Sequence, residues 1–253
     1  MKNPLRRWYR EFMLAMQFAT TLPAVQIHDV TEQEVVDSVI WFPVLGAILG
    51  GTLMLSFRVL HAGLAPWPTA LLVVVLYTLL TGALHIDGLM DTADAVGSRA
   101  KRERALEIMR DSRVGAMGAI AGCLLLIGKV VAIASLPLNH SEALIAVLTI
   151  SRAAMVWSMT IAPSARGNEG LAGMYAQKIP RTTSFIAGAF ALVVSVATFG
   201  WILGIAVVGF AGIATFLFVG WMRKRFGGMT GDTYGALHEL IELGGLLFLT
   251  ATF

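Results

Sequence analysis

Three carboxylates, Asp87, Asp91 and Asp94, stand four and then three residues apart in the segment between two long apolar runs. On a helix that spacing puts all three on one face, a turn apart. Like charges so placed repel by roughly a few tenths of a kcal/mol per pair even in water, and a divalent cation is the simplest agent that offsets them. Mg²⁺ suits the pattern, because it binds through one or two carboxylates, keeps several waters and shares the rest of its shell with substrate phosphates. Residues 85–113 therefore read as the catalytic cradle of an enzyme that handles phosphate esters.

Other residue types extend this chemistry. Arg110 and Arg113 are natural partners for phosphate oxygens. In the run GGMTGD, Gly227, Gly228 and Gly231 permit turns that aim backbone N–H groups at an anion, and Asp232 follows at once. His85 stands two residues before the first of the three aspartates as a ligand, a base or an interfacial hydrogen-bonding group. Arg152 lies near the middle of an apolar run, where a charge is a functional candidate by default; it is expected to contact substrate phosphate or to neutralise the acids. Lys129 lies nearer the far end of its run and is expected to reach the interface by snorkelling.

The elements that must position these groups are membrane helices. Of the 253 residues, 57% are hydrophobic and 14% charged, against about 25% charged in a soluble domain. Mean hydropathy is +0.74, and several runs approach the roughly 20 apolar residues that a spanning helix needs. The expected fold is all-α: a polytopic transmembrane helical bundle forming one domain over 1–253. It has about seven spans, near 38–59, 67–84, 114–136, 142–162, two halves of 184–222 divided at Gly200, and 233–253. Residues 1–37 form an N-terminal interfacial or re-entrant segment, preferred over a cleaved signal because the apolar part is short and interrupted by Gln17, Thr20 and Thr21. Gly46 with Gly50, and Gly118 with Gly122, make faces that let a neighbouring helix approach closely. Cys123 has no second cysteine with which to form an intrachain disulfide.

Charge placement gives an orientation. Lys and Arg cluster in 1–10, 99–113, 166–181 and 223–225, and such clusters mark cytoplasmic segments. The N-terminus, the 85–113 segment, the 163–183 loop and the 223–242 segment are thus expected to meet at the cytoplasmic face. A net charge of +3 is too modest to suggest a nucleic-acid partner; the partner is the lipid bilayer. Whether the chain forms a homo-oligomer is left open.

Several ordered blocks carry a resemblance. QFATTLP at 17–23, WFPVLG at 41–46, ALHIDGLMDTADAVGS at 83–98, RALEIMRDSRVGAMG at 104–118, ISRAAM at 150–155 and GGMTGDTYGALHELIE at 227–242 are similar to blocks of the cobalamin synthase family, the adenosylcobinamide-GDP ribazoletransferases. Thr21 stands where that family has Arg. The resemblance implies a Mg²⁺-dependent transferase of the bacterial inner membrane. It would join adenosylcobinamide-GDP to α-ribazole or α-ribazole 5′-phosphate and release GMP. On that reading Asp87, Asp91 and Asp94 are metal ligands, with Asp111 as a fourth, and Asp91 and Asp94 act at the reacting centre. Arg110, Arg113 and Arg152 hold phosphate, as do backbone groups at Gly228 and Gly231. Asp232 is a second metal site or a base, and His85 is a base candidate. The CDP-alcohol phosphotransferases share spaced aspartates, but Asp87-Gly88 is followed by Met90-Asp91 rather than by their Ala-Arg. A divalent-cation transporter would place its acids near the bilayer midplane, whereas these are expected at one boundary.

Overall fold

The computed structural model describes residues 4–176 and 178–252. Lys2 of the basic start and Phe253, the expected end of the last span, lie outside them. Among the described residues there are helices and one isolated bridge, Ser164 to Met229, but no strand. The helices are α1 (Pro4–Ala19), α2 (Glu32–Ser38), α3 (Phe42–His61), α4 (Pro66–Thr81), α5 (Leu84–Gly97), α6 (Arg102–Ile108), α7 (Ala116–Ala134), α8 (Ala143–Ile161), α9 (Gly170–Tyr175), α10 (Arg181–Phe226) and α11 (Gly231–Thr250). The all-α bundle expected from composition is the fold observed.

Among the described residues, four stretches are long and apolar enough to cross a membrane: Glu32–His61, Ala116–Ala134, Leu138–Ile161 and Arg181–Phe226. The pair α4 and α5 makes a fifth if it is taken as one broken span. The first begins earlier than expected. Thr31 and Glu34 form a capping box that starts a helix at Glu32, so acidic residues assigned to the N-terminal segment instead open the first crossing. They are neutralised there, since Arg7 and Arg10 of α1 pair with Asp37 and Glu34 at 2.8 and 2.7 Å. The division of α10 at Gly200 is confirmed by its backbone (φ 77°, ψ 176°). A Cβ on Gly204 would fall 2.7 Å from the Cα of Val196; eight residues along a straight helix span about 12 Å, so the chain folds back on itself here. The 20 residues of α11 carry Asp232, Glu239 and Glu242 and are enclosed by the other helices along most of their length.

Close packing rests on glycine where the sequence suggested it. A Cβ on Gly46 or Gly50 would strike the α8 backbone at Leu148 or Ile145, at 2.3 and 2.5 Å. The second apolar run differs from expectation. It stops at Thr81, and α5 leaves at 91° to α4. Gly82 and Ala83 make the corner with consecutive left-handed conformations (φ 60° and 57°). For Ala83 that conformation costs roughly 1–2 kcal/mol, which the surrounding packing must offset. Thr21 fixes the corner from outside, its Oγ1 donating to the Leu79 carbonyl and its N–H to that of Leu80.

Candidate active site

The corner redirects α5 so that it runs antiparallel to the starts of both α7 and α11. Gly88 is the contact point with α11: a Cβ there would fall 2.7 Å from the Asp232 carbonyl oxygen. Further in, Gly235 faces the backbone of His85 in the same way at 3.2 Å. Glycine directly after Asp87 therefore brings Asp232, 145 residues later, against the first acidic turn. The half-buried Asp91 carboxyl lies in the field of Asp87, Asp94 and Asp232, with Arg166 the cation that acts on it. The predicted meeting of α5 acids with the aspartate after GGMTG is thus present in the geometry. The groups that meet here are carboxylates, hard oxygen donors of the kind that suit Mg²⁺ rather than a softer metal.

Asp94 has a further task. Its two carboxylate oxygens accept from the backbone N–H groups of Gly115 and Gly118, each at 2.7 Å. It thereby caps α7, whose own N-cap residue, Gly115, has no side chain to do so. A Cβ on either glycine would fall within 2.4 Å of that carboxylate. Asp94 binds the helices of the site together, while Asp232 accepts from the Thr230 hydroxyl of its own helix cap at 3.3 Å; Asp87, Asp91 and Asp232 are the acids left to face a metal.

The other predicted residues are placed differently from expectation. Asp111 lies beyond the end of α6 and is paired with Arg113 through both oxygens, at 3.0 and 2.7 Å. The guanidinium holds its carboxyl down at about 2. The expected fourth metal ligand and one expected phosphate ligand are therefore paired with each other at the surface. Arg110 is paired with Glu169 at 2.8 Å. Gly228 serves close packing: a Cβ there would fall 2.3 Å from the Pro163 carbonyl oxygen. The adjacent Met229 exchanges hydrogen bonds with Pro163 and Ala165, both 2.8 Å. Gly231 opens α11 immediately after Thr230, whose side chain caps that helix.

Arg152 does not reach the α5 acids. It is 1% exposed, its Nη1 lies 3.5 Å from Glu242, and its Nη2 donates to the Tyr77 hydroxyl at 3.4 Å. Lys129 does not snorkel: it is buried, 2.5 Å from Glu239 and 2.7 Å from Glu242. Tyr77 also donates to Glu242. This network joins α4, α7, α8 and α11 in the interior. Its two carboxylates balance one ammonium and one guanidinium. The signal for it was HELIE at 238–242, two acids three residues apart inside an apolar run, facing cations in two other runs.

His85 is buried beside this network, its ring stacked on His238 with centroids 4.1 Å apart. His85, His238 and Glu239 offer ligand atoms within 4.8 Å of one another. A divalent ion there would add two charges to a balanced group, and the near-parallel rings do not aim their in-plane lone pairs at one point. At the α5–α11 junction the same ion would offset an acidic excess.

The polar loops gather around that junction. Arg102 donates to the carbonyls of Phe226 and Ala165, both at 2.6 Å, and Arg225 to that of Ala100 at 2.7 Å. Arg166 reaches the Leu106 carbonyl at 3.2 Å. Of the segments expected to meet, 85–113, 163–183 and 223–242, these bonds join the parts at 100–106, 165–166 and 225–226.

Comparison with known proteins agrees with this architecture. Residues 11–250 match the family described as cobalamin-5-phosphate synthase. Among named relatives, the adenosylcobinamide-GDP ribazoletransferase of Thermoanaerobacter pseudethanolicus is 37% identical over 243 residues, covering 94% of this chain and 96% of that protein. Proteins of the same name from Roseiflexus sp. and Pseudomonas syringae pv. syringae are 34% and 37% identical, covering 97% and 94% of this chain and 92% and 98% of their own lengths. No solved structure matches. With the match running almost from end to end and taking in every helix of the junction, this chain belongs to the cobalamin-5-phosphate synthase family and is a transferase.

Proposed function

We propose that this enzyme transfers the adenosylcobinamide phosphate of adenosylcobinamide-GDP to α-ribazole or α-ribazole 5′-phosphate and releases GMP. A ribose hydroxyl forms the new bond to the phosphorus nearest cobinamide, and the bond from that phosphorus to the GMP oxygen breaks. The observation that carries the reading is the backbone contact of Gly88 with Asp232, which supplies acids from two helices to one place. Asp87, Asp91 and Asp232 would hold Mg²⁺, which when bound polarises phosphoryl oxygens and steadies a leaving phosphate. Asp94 keeps α5 and α7 aligned so that the other acids face the substrate. The active site faces the cytoplasm of a bacterial inner membrane, as the clustering of Lys and Arg supports.

The test is GMP release from adenosylcobinamide-GDP and α-ribazole by the enzyme in lipid nanodiscs. Turnover is expected with Mg²⁺ and is lost in Asp91→Ala, whose thermal unfolding stays close to that of the parent. Full turnover by Asp91→Ala would remove that residue from the chemistry.

A further inference from the structure

We propose that Arg166 is the residue that grips the diphosphate of the nucleotide-activated substrate, a role that rests on the transferase reading above. Most described arginines of the surrounding loops and of the nearby bundle interior have protein partners, and Arg99 and Arg223 are exposed on the surface. Arg102 and Arg225 hold backbone carbonyls; Arg104, Arg110 and Arg113 pair with Glu107, Glu169 and Asp111; Arg152 lies deep against Glu242. Arg166 alone of this group leans on the acidic junction, with Nη2 3.8 Å from an oxygen of Asp232.

Its side chain is 16% exposed, and its Nε is buried without a hydrogen-bond partner. A guanidinium carries five N–H donors in a planar fork. One of them donates, to the Leu106 carbonyl, and a contact of 3.8 Å with Asp232 is longer than a hydrogen bond. A buried donor left unmade costs about 1–3 kcal/mol. A phosphoryl oxygen is the acceptor that matches such a fork, which pairs with phosphate in bidentate fashion.

The loop that carries Arg166 is fixed relative to Asp232. Ala165 and Pro163 exchange hydrogen bonds with Met229, and Thr230 then caps the helix on which Asp232 sits. The Arg166 N–H is itself tied to Ser164 Oγ at 3.2 Å. A cleft of about 220 Å³ opens beside the guanidinium, where Arg102 and Arg110 stand with Arg166 and where Glu103, Glu107 and Glu169 also line the wall. Acids for a metal thus stand on one side and a rigidly held cation on the other. A diphosphate, with oxygens to offer to both, is the ligand class this arrangement takes. As the bond to the leaving nucleotide breaks, negative charge grows on oxygens that Arg166 contacts.

The experiment compares the parent enzyme in nanodiscs with Arg166→Gln, Arg166→Lys and the control Arg104→Gln. It reads GMP release, inhibition by inorganic pyrophosphate, Mn²⁺ binding by electron paramagnetic resonance, and thermal unfolding. Arg166→Gln is expected to lower kcat/KM by about 100-fold or more, the scale seen when one preorganised donor to a developing oxyanion is removed, and to weaken pyrophosphate inhibition at least tenfold while Mn²⁺ binding is kept. Arg166→Lys, a point charge without the fork, should recover part of both losses, and Arg104→Gln should behave as the parent. Parental kcat/KM and pyrophosphate inhibition in Arg166→Gln would overturn the assignment. If that variant fails to fold, the same parental values in Arg166→Lys would overturn it. Absence of GMP release from the parent enzyme would instead refute the transferase reading itself, a distinct outcome.

Discussion

Replacing Lys129 by Met isolates what the buried charge network contributes. The ammonium stands 2.5 Å from Glu239 and 2.7 Å from Glu242, with all three side chains at most 3% exposed. Met matches the length of the lysine stem and removes the charge. Two carboxylates are then left with Arg152, whose Nη1 is 3.5 Å from Glu242, as the remaining cation. Breaking a buried pair by removing one partner costs about 3–5 kcal/mol, which shifts the folded-to-unfolded ratio by a hundredfold or more at about 1.4 kcal/mol per factor of ten. The assay is reversible unfolding in mixed detergent micelles. The decisive companion is Lys129→Met with Glu239→Gln, which restores balance between Glu242 and Arg152. Replacing a buried pair by neutral groups is often close to neutral, so the double variant is expected to lose less than about 2 kcal/mol, less than the single variant does. The reasoning is refuted if Lys129→Met costs under about 1 kcal/mol, or if the second substitution adds to the loss instead of relieving it.

Two further outcomes follow from the junction. Asp94→Ala strips the Gly115 and Gly118 N–H groups of their acceptor and should cost about 2 kcal/mol, the upper range for a lost helix cap. Asp94→Asn, which keeps one acceptor oxygen, should lose less and retain measurable GMP release under conditions where Asp91→Asn has none; equal inactivity of the two would show that Asp94 does more than cap. Gly88→Ala places a methyl group 2.7 Å from the Asp232 carbonyl oxygen. It should separate α5 from α11 and abolish turnover although no reacting group is changed; parental activity would show that the contact is dispensable.

The sequence carried the class of fold because membrane helices announce themselves by length and apolar content, and the break at Gly200 because one glycine interrupts an apolar run too long for a single crossing. It carried the acids of α5 because their spacing follows the helical period. The 91° corner at Gly82 and Ala83 was hidden: Ala83 adopts a left-handed conformation that its residue type does not favour, and only packing in three dimensions enforces it. The fates of the arginines were hidden for a related reason. Arg110, Arg113 and Arg152 have the right chemistry for phosphate, but in the fold they pair with Glu169, Asp111 and Glu242, the first two at the surface and only the last in the interior. The buried pairing of Lys129 was hidden because snorkelling is the expected behaviour of a lone cation, and its partners Glu239 and Glu242 lie 110 and 113 residues away. Arg166 is legible in the sequence only as one member of the basic cluster at 166–181, since nothing local distinguishes an engaged guanidinium from a free one.

The central claim is that aspartates of α5 and α11 share one divalent ion. Mn²⁺ binding to the parent enzyme, Asp91→Asn, Asp232→Asn and the double variant, followed by electron paramagnetic resonance, tests it most directly. The account predicts that each single substitution weakens binding and that the double is scarcely worse than the poorer single, as expected for ligands of one ion. Parental Mn²⁺ affinity in Asp232→Asn would contradict it.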